Sequence, residues 1–307
     1  MHAGADNACS VEGRRTMIAI SENDLLKQIN ARLPEMSKGH RAIAKYILEN
    51  YDKAAFMTAS RLGDAAGVSE STVVRFAGTV GFQGYPELQD ALQELIHKKL
   101  TSVQRIEVTN DLLGDADILD TVLNSDIEKI HETLNIISRE AFNNAVNAII
   151  RSKKIYIIGM RGSATLANLI AYNFRLIFDH VTLVQTTSGS EVFEQLLRVS
   201  ENDTVIAVSF PRYSKRIINA VEYAKSQHAF VVSLTDSEIS PIAKCADSVL
   251  VAKSDMVSFV DSLAAPLSVI NALIVAITKK KASELEGIFS KLENIWDEYD
   301  VYEKDGK

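Results

Sequence analysis

The chain has 307 residues, enough for two domains, and its 47% hydrophobic and 24% charged residues describe an ordinary folded protein with material for a core. A formal net charge of −7 argues against a protein that holds nucleic acid by bulk positive charge. Two distant cysteines, Cys9 and Cys245, make neither a disulfide framework nor a Cys/His metal motif, which fits a reducing cytoplasm.

The first sixteen residues contain no apolar run of signal-peptide type, so residues 1–16 are expected to be a flexible extension, with Met17 opening the folded part. Residues 59–82 carry the most information. Leu62, Ala65 and Ala66 recur at helical spacing and predict a helix with an inward face. Gly67 follows at once and suits the left-handed conformation that ends a helix. Val68 plugs the corner, and Ser69 caps a second helix carrying Val73, Val74 and Phe76. That is the pattern of a helix-turn-helix, whose second helix enters the DNA major groove. Ser69, Glu70, Ser71, Thr72 and Arg75 then meet base edges and phosphates, with Arg61 on the preceding helix. Gly78 inside the second helix costs about 1 kcal/mol relative to Ala.

From Met17 to Leu100 ten basic residues stand against ten acidic ones, so this part is neutral and the excess acid lies further along. A neutral domain binds DNA when its positive groups share a face, and pairing two domains on two half-sites adds their contacts. Residues 97–119 are polar, broken by Gly114, and predict a linker. Amphipathic helices are expected at 120–137 and 140–151.

Beyond Lys154, short apolar runs alternate with helical segments. The strand candidates are 155–158, 181–184, 204–208, 230–234 and 248–251, with helices near 164–178, 191–199 and 215–226. Continuous apolar strands separated by helices imply a parallel sheet covered on both faces. Leu263 to Ile277 is short for a bilayer span and contains Pro266, Ser268 and Asn271, so a buried helix is expected there. Ser283 to Glu286 reads as a capping box for a last helix with Leu285, Ile288, Phe289, Leu292 and Trp296 on its apolar face.

Parallel sheets bind ligands beyond the carboxyl ends of their strands. Here the first strand runs into Gly159-Met160-Arg161-Gly162-Ser163, the second into Thr186-Thr187-Ser188-Gly189-Ser190, and the third into Ser209-Phe210-Pro211-Arg212-Tyr213-Ser214. Hydroxyls, glycines and helix N-termini at one sheet edge suit an anion, with Arg161, Arg212 or Lys215 adding charge. Taken singly, each hydroxyl equally suits the capping of its own helix. His40, His97, His131, His180 and His228 are scattered without metal-ligand spacing, so no metal is expected.

Residues 33–96 resemble the N-terminal domain of RpiR/MurR-type bacterial transcription regulators. Arg41 to Asn50 is similar to that family's first core helix, and Val68 to Phe76, followed by Gly81-Phe82-Gln83-Gly84-Tyr85, to its most recognisable run. Residues 120–280 resemble a sugar isomerase (SIS) domain, which binds phosphosugars in these regulators. Gly159 to Ser163 and Ser209 to Ser214 are similar to its two ligand loops, and Thr235-Asp236-Ser237 with Ser240 to Ala243 to the stretch after its fourth strand. The resemblance implies phosphate contacts at Ser163, Ser209 and Ser214, further ones at Thr187 and Ser188, and neighbouring contacts at Gly159, Arg161, Gly162 and Arg212. This chain departs from the family at Arg161, where many SIS domains have a second glycine, and at Pro211-Arg212, in place of the frequent Ser-Gly.

The sequence thus predicts an all-α helix-turn-helix domain at 17–96, a linker at 97–119 and an α/β SIS domain at 120–300 built on a five-stranded parallel sheet with helices on both faces. The function expected is a cytoplasmic regulator of carbohydrate metabolism. It binds double-stranded operator DNA as a homodimer or higher homo-oligomer, away from membranes, and a phosphorylated sugar modulates that affinity. No cofactor and no catalytic residue are expected. The alternative is a sugar-phosphate isomerase or lyase with an accessory helical domain, for which Glu191, opening the helix after the second strand, is the candidate base. A first-turn Glu is also what the helix dipole favours.

Overall fold

In a computed structural model that describes residues 24–99, 101–113, 117–185, 191–254 and 260–303, the chain divides into two units, 1–100 and 101–307. Residues 1–16, Gly114, Thr187 and Ser188 lie outside the described residues.

The first unit is helical: α1 (Asp24–Arg32), α2 (Lys38–Glu49), α3 (Tyr51–Ala54), α4 (Ala59–Ala66), α5 (Glu70–Thr79) and α6 (Tyr85–Lys99). The Ser37 hydroxyl accepts from His40 N to start α2, and the Thr58 hydroxyl accepts from Arg61 N to start α4. Gly67 ends α4 at φ 69°, the left-handed turn expected from sequence. Ile29, Ile43, Ile47, Leu62, Val73, Phe76, Leu88 and Leu92 are fully buried and form the core. Each contributes about 1.5–3 kcal/mol relative to leaving it exposed.

The inward face expected for α4 is corrected at one position. Ala65 is exposed, and the contact between α4 and α5 falls on Gly63 instead. A Cβ at Gly63 would stand 2.8 Å from the Val68 carbonyl oxygen, so only glycine lets the turn close this tightly. Val74 is 45% exposed, because Val73, Phe76 and Ala77 already fill the buried side of α5. The start of α6 is tied to the turn after α3 through Tyr85 Oη and Gln89 Nε2, which donate to the Met57 carbonyl at 2.6 and 2.9 Å.

The second unit opens with three helices, α7 (Ser102–Leu113), α8 (Ile118–Ile136) and α9 (Arg139–Arg151). Then come β1 (Ile155–Gly159), α10 (Gly162–Phe174), β2 (Val181–Val184), α11 (Glu191–Leu196), β3 (Thr204–Val208), α12 (Lys215–Ser226), β4 (Phe230–Thr235), β5 (Ser248–Val251), α13 (Ala264–Lys280) and α14 (Ala282–Glu298). The strands form one parallel sheet of five in the order β2-β1-β3-β4-β5. Ile155, Ile157, Ile206, Val208, Val232 and Leu234 face α9, α10 and α13 on one side. Tyr156, Ile158, Val205, Ala207 and Val231 meet α11 and α12 on the other. Alternate residues of continuous apolar strands thus bury against two helix layers.

Residues 97–119, a linker by sequence, are folded in their described parts. They hold the end of α6 and the whole of α7, and α7 belongs to the second unit. Arg105 on α7 is 1% exposed and bonds the Asp261 carboxylate at 2.7 Å. The second unit therefore starts at α7, not at residue 120. The capping box is also corrected: α14 begins at Ala282 directly after Lys281, so Ser283 lies inside the first turn and makes no cap bond. Leu263 to Ile277 falls on a helix as expected, but only one face of α13 is buried, with Leu267 and Val275 exposed, and its Pro266 sits in the first turn, where proline is tolerated.

Candidate functional sites

The exposed rim of α5 is built from short hydroxyl side chains. Ser69 has N-cap backbone angles, but its hydroxyl bonds Ser71 Oγ at 3.0 Å and Thr72 Oγ1 at 2.8 Å rather than a backbone amide. Glu70 is the first residue of the helix. Arg75 lies one turn further, its Nε donating to the Ser71 carbonyl at 3.1 Å. Ser69, Glu70, Ser71, Val74 and Arg75 are all exposed, and Arg61 is exposed on α4. Thr72 is half-buried, and its methyl leaves no room for a side chain at Gly39, where a Cβ would stand 3.2 Å from it. Sequence reasoning missed Val74 as an outward residue. A branched methyl pair beside Arg75 suits a thymine methyl at a base edge.

The strand order reverses between β1 and β3, so the loops leaving these strands flank the crevice where open α/β sheets bind ligands. Gly159 and Val208 are register partners, and the two loops leave the sheet side by side. Each leads into the N-terminus of a helix at least twelve residues long, α10 and α12. Their exposed amides and dipoles favour an anion. Ser214 is the N-cap of α12 but caps no amide; its hydroxyl donates to Met160 Sδ at 3.4 Å and links the two loops. Ser163 in the first turn of α10 and Ser209 after β3 are both buried.

Glycine roles separate here. A Cβ at Gly159 would stand 2.5 Å from the Ser163 carbonyl oxygen and 2.8 Å from Ala167 Cβ, so this glycine lets α10 pack on β1. At Gly162 nothing lies within 4 Å, leaving room for a ligand to approach the backbone. Arg161 and Arg212 both take positive φ, 57° and 66°, the conformation that favours glycine. They are the two positions where this chain departs from the family's glycine-rich loops.

Further residues brace the site. Tyr213 Oη donates to the Asp236 carboxylate at 2.8 and 3.0 Å, tying the β3 loop to the end of β4. Arg212 reaches the other way, its guanidinium donating to Ser102 Oγ of α7 at 3.5 Å. No sequence pattern marks that last contact, because the two residues lie 110 positions apart. Glu191 opens α11 as expected. Two concavities lie elsewhere in this unit, about 340 Å³ along β2 and α11 and about 670 Å³ between α10 and α13, and neither is lined by the β1 or β3 loop. Among the described residues no group of His, Cys, Asp or Glu is arranged to hold a metal. No described helix is long and apolar enough to cross a membrane.

The family model for the helix-turn-helix domain of the rpiR family matches residues 23–99, and that for the SIS domain matches residues 148–284. The sugar isomerase domain of an RpiR transcription factor from Sphaerobacter thermophilus is 30% identical. It superposes with a TM-score of 0.54 over 57% of this chain and 97% of that one. This chain belongs to the RpiR family of transcriptional regulators. Among curated relatives, an HTH-type transcriptional regulator of Caldanaerobacter subterraneus is 26% identical over 85% of this chain and 93% of its own length. The regulator HexR of Pseudomonas aeruginosa is 24% identical over 86% and 92%. The Vibrio vulnificus NanR protein complexed with ManNAc-6P is 24% identical and shares the fold, with a TM-score of 0.56 over 90% of this chain and 98% of that one.

Proposed function

We propose that this RpiR-type regulator binds double-stranded operator DNA through α5, acts in the cytoplasm as a dimer, and changes its DNA affinity when a phosphorylated sugar occupies the β1 and β3 loops. The observation that carries the reading is the pairing of those loops at the switch point of the sheet. Two helix N-termini, the serines 163, 209 and 214, and two arginines collect on one edge there. The relative that holds ManNAc-6P on the same fold supports a phosphosugar as the ligand class. The curated relatives named as regulators support a binding protein rather than an enzyme.

Arg212 offers a route for the signal. It belongs to the ligand loop and bonds Ser102, the first residue of α7, and α7 comes directly after α6 of the DNA-binding unit in the chain. A phosphate that recruits the Arg212 guanidinium competes with Ser102 for it. To change operator affinity a hundredfold, the ligand must favour one arrangement by about 2.7 kcal/mol.

Fluorescence anisotropy with DNA from upstream of the protein's own gene, against scrambled DNA at about 0.15 M salt, tests the regulator. Specific binding that shifts on adding a sugar phosphate is expected, with the shift lost in Ser163→Ala and Ser209→Ala. Equal affinity for both DNAs, together with turnover of a sugar phosphate that Glu191→Gln abolishes, would replace this reading with the enzymatic one.

A further inference from the structure

The concavity of about 340 Å³ along the edge strand β2 is walled by β1, β2 and the α11 segment. Tyr156 on β1 stands beside Thr182 on β2 in the parallel register, and Lys154 and His180 come two residues earlier on the same face. The cavity therefore sits toward the amino end of the sheet. The five-residue strand β1, about 16 Å long, separates Lys154 from the loop that begins beyond Gly159. Tyr156 is the unusual residue there. It is 3% exposed and lines the cavity, yet its hydroxyl forms no hydrogen bond among the described residues. A buried tyrosine hydroxyl ordinarily has a partner. Burial raises its pKa, Asp203 raises it further and Arg198 lowers it, so at neutral pH the group is a proton donor. Arg198 lines the same cavity, and Lys154 there is half-buried. Two exposed acids, Asp179 and Glu194, complete the charged lining. None of these four charges enters an ion pair among the described residues.

From this geometry we infer that the cavity is a second ligand site, separate from the β1 and β3 loops, and that it takes a free α-amino acid as its zwitterion. The carboxylate meets the half-buried Lys154 and the Tyr156 hydroxyl, with Arg198 beside them, and the ammonium faces the exposed acids. A phenol that donates to a carboxylate makes a charge-assisted hydrogen bond, which supplies the partner that Tyr156 lacks. Charge selects this class. A simple anion would leave Asp179 and Glu194 opposing it, and a simple cation would meet Lys154 and Arg198. One molecule carrying both signs satisfies both walls. Size agrees, because the volume lies at the small end of the roughly 300–1,000 Å³ of ligand pockets.

This site goes beyond the operator reading and is probed without DNA or sugar phosphate, so its failure leaves that reading standing. Calorimetric titration of the full chain with each common amino acid tests it, with acetate and methylammonium as the separate halves. At least one amino acid is expected to bind, and each half at least about tenfold more weakly. Tyr156→Phe, which keeps the ring, and Lys154→Met are each expected to weaken that binding about tenfold, while Ser163→Ala leaves it unchanged. Without ligand, Tyr156→Phe is expected to unfold at no lower a temperature than the wild type, because the hydroxyl it removes has no partner in the fold. No binding of any amino acid, binding indifferent to Tyr156→Phe and Lys154→Met, or acetate held as tightly as the amino acid would each overturn the proposal.

Discussion

Arg161 and Arg212 occupy positive φ on the two loops that leave the neighbouring strands β1 and β3. A non-glycine residue held there costs on the order of 1–3 kcal/mol and persists only where the surroundings over-determine it. Both positions are open to glycine, as the family's own loops illustrate. Retaining an arginine at each trades stability for positive charge beside two helix N-termini. Arg161→Gly is therefore expected to raise the unfolding midpoint, by relief of about 1 kcal/mol, while weakening sugar-phosphate binding. Thermal unfolding and calorimetric titration on the same variant read the two effects. A variant that gains stability without losing affinity removes Arg161 from the site.

On the DNA side, Arg75→Ala is expected to cost about 1–3 kcal/mol of operator affinity. Val74→Ala is expected to lower binding to operator more than to scrambled DNA, because an apolar contact reads a base rather than a phosphate. Anisotropy at one fixed salt separates them.

Two glycines of the helical unit should respond oppositely to the same substitution. Gly63→Ala drives a Cβ to within 2.8 Å of the Val68 carbonyl oxygen and is expected to destabilise by about 1–3 kcal/mol. At Gly78 nothing lies within 4 Å, and Gly78→Ala is expected to stabilise by up to about 1 kcal/mol. Far-UV circular dichroism melts of the full chain check both.

Burial pushes the Tyr85 phenol up to about 12 from its ordinary 10.0. Its neutral form is the one the fold accommodates, donating to the Met57 carbonyl. The stability this group contributes is fully present below pH 10 and is lost as the pH rises through about 12. Tyr85→Phe is expected to cost about 1 kcal/mol at pH 8 by loss of one hydrogen bond and to flatten the alkaline fall. Urea unfolding across pH 8 to about 11.5 measures it.

The sheet was legible because its strands are short β-branched runs with no competing period. Val181–Val184, Thr204–Val208 and Ser248–Val251 have the ends expected from sequence, and so does α12. The site loops were legible for the same reason, since each begins where a strand's apolar run stops. What escaped was set by partners remote in sequence. Nothing local marks α7 as folded, because Arg105 finds Asp261 across 156 positions. Periodicity alone gave α8 and α5 apolar residues without saying which side they face. Val74 points outward because Val73 and Phe76 already fill the core.

The close approach of Gly159 to the backbone of Ser163 has a consequence for how such loops diversify. It locks the point at which the chain departs from β1 and the seat of α10, independently of what the intervening residues are. Met160, Arg161 and Gly162 can then be exchanged without re-aiming the helix, and the Ser163 hydroxyl keeps its station. The sheet end works as a fixed socket for interchangeable loops, so swapping three residues should change which ligand the loop accepts while leaving the frame untouched.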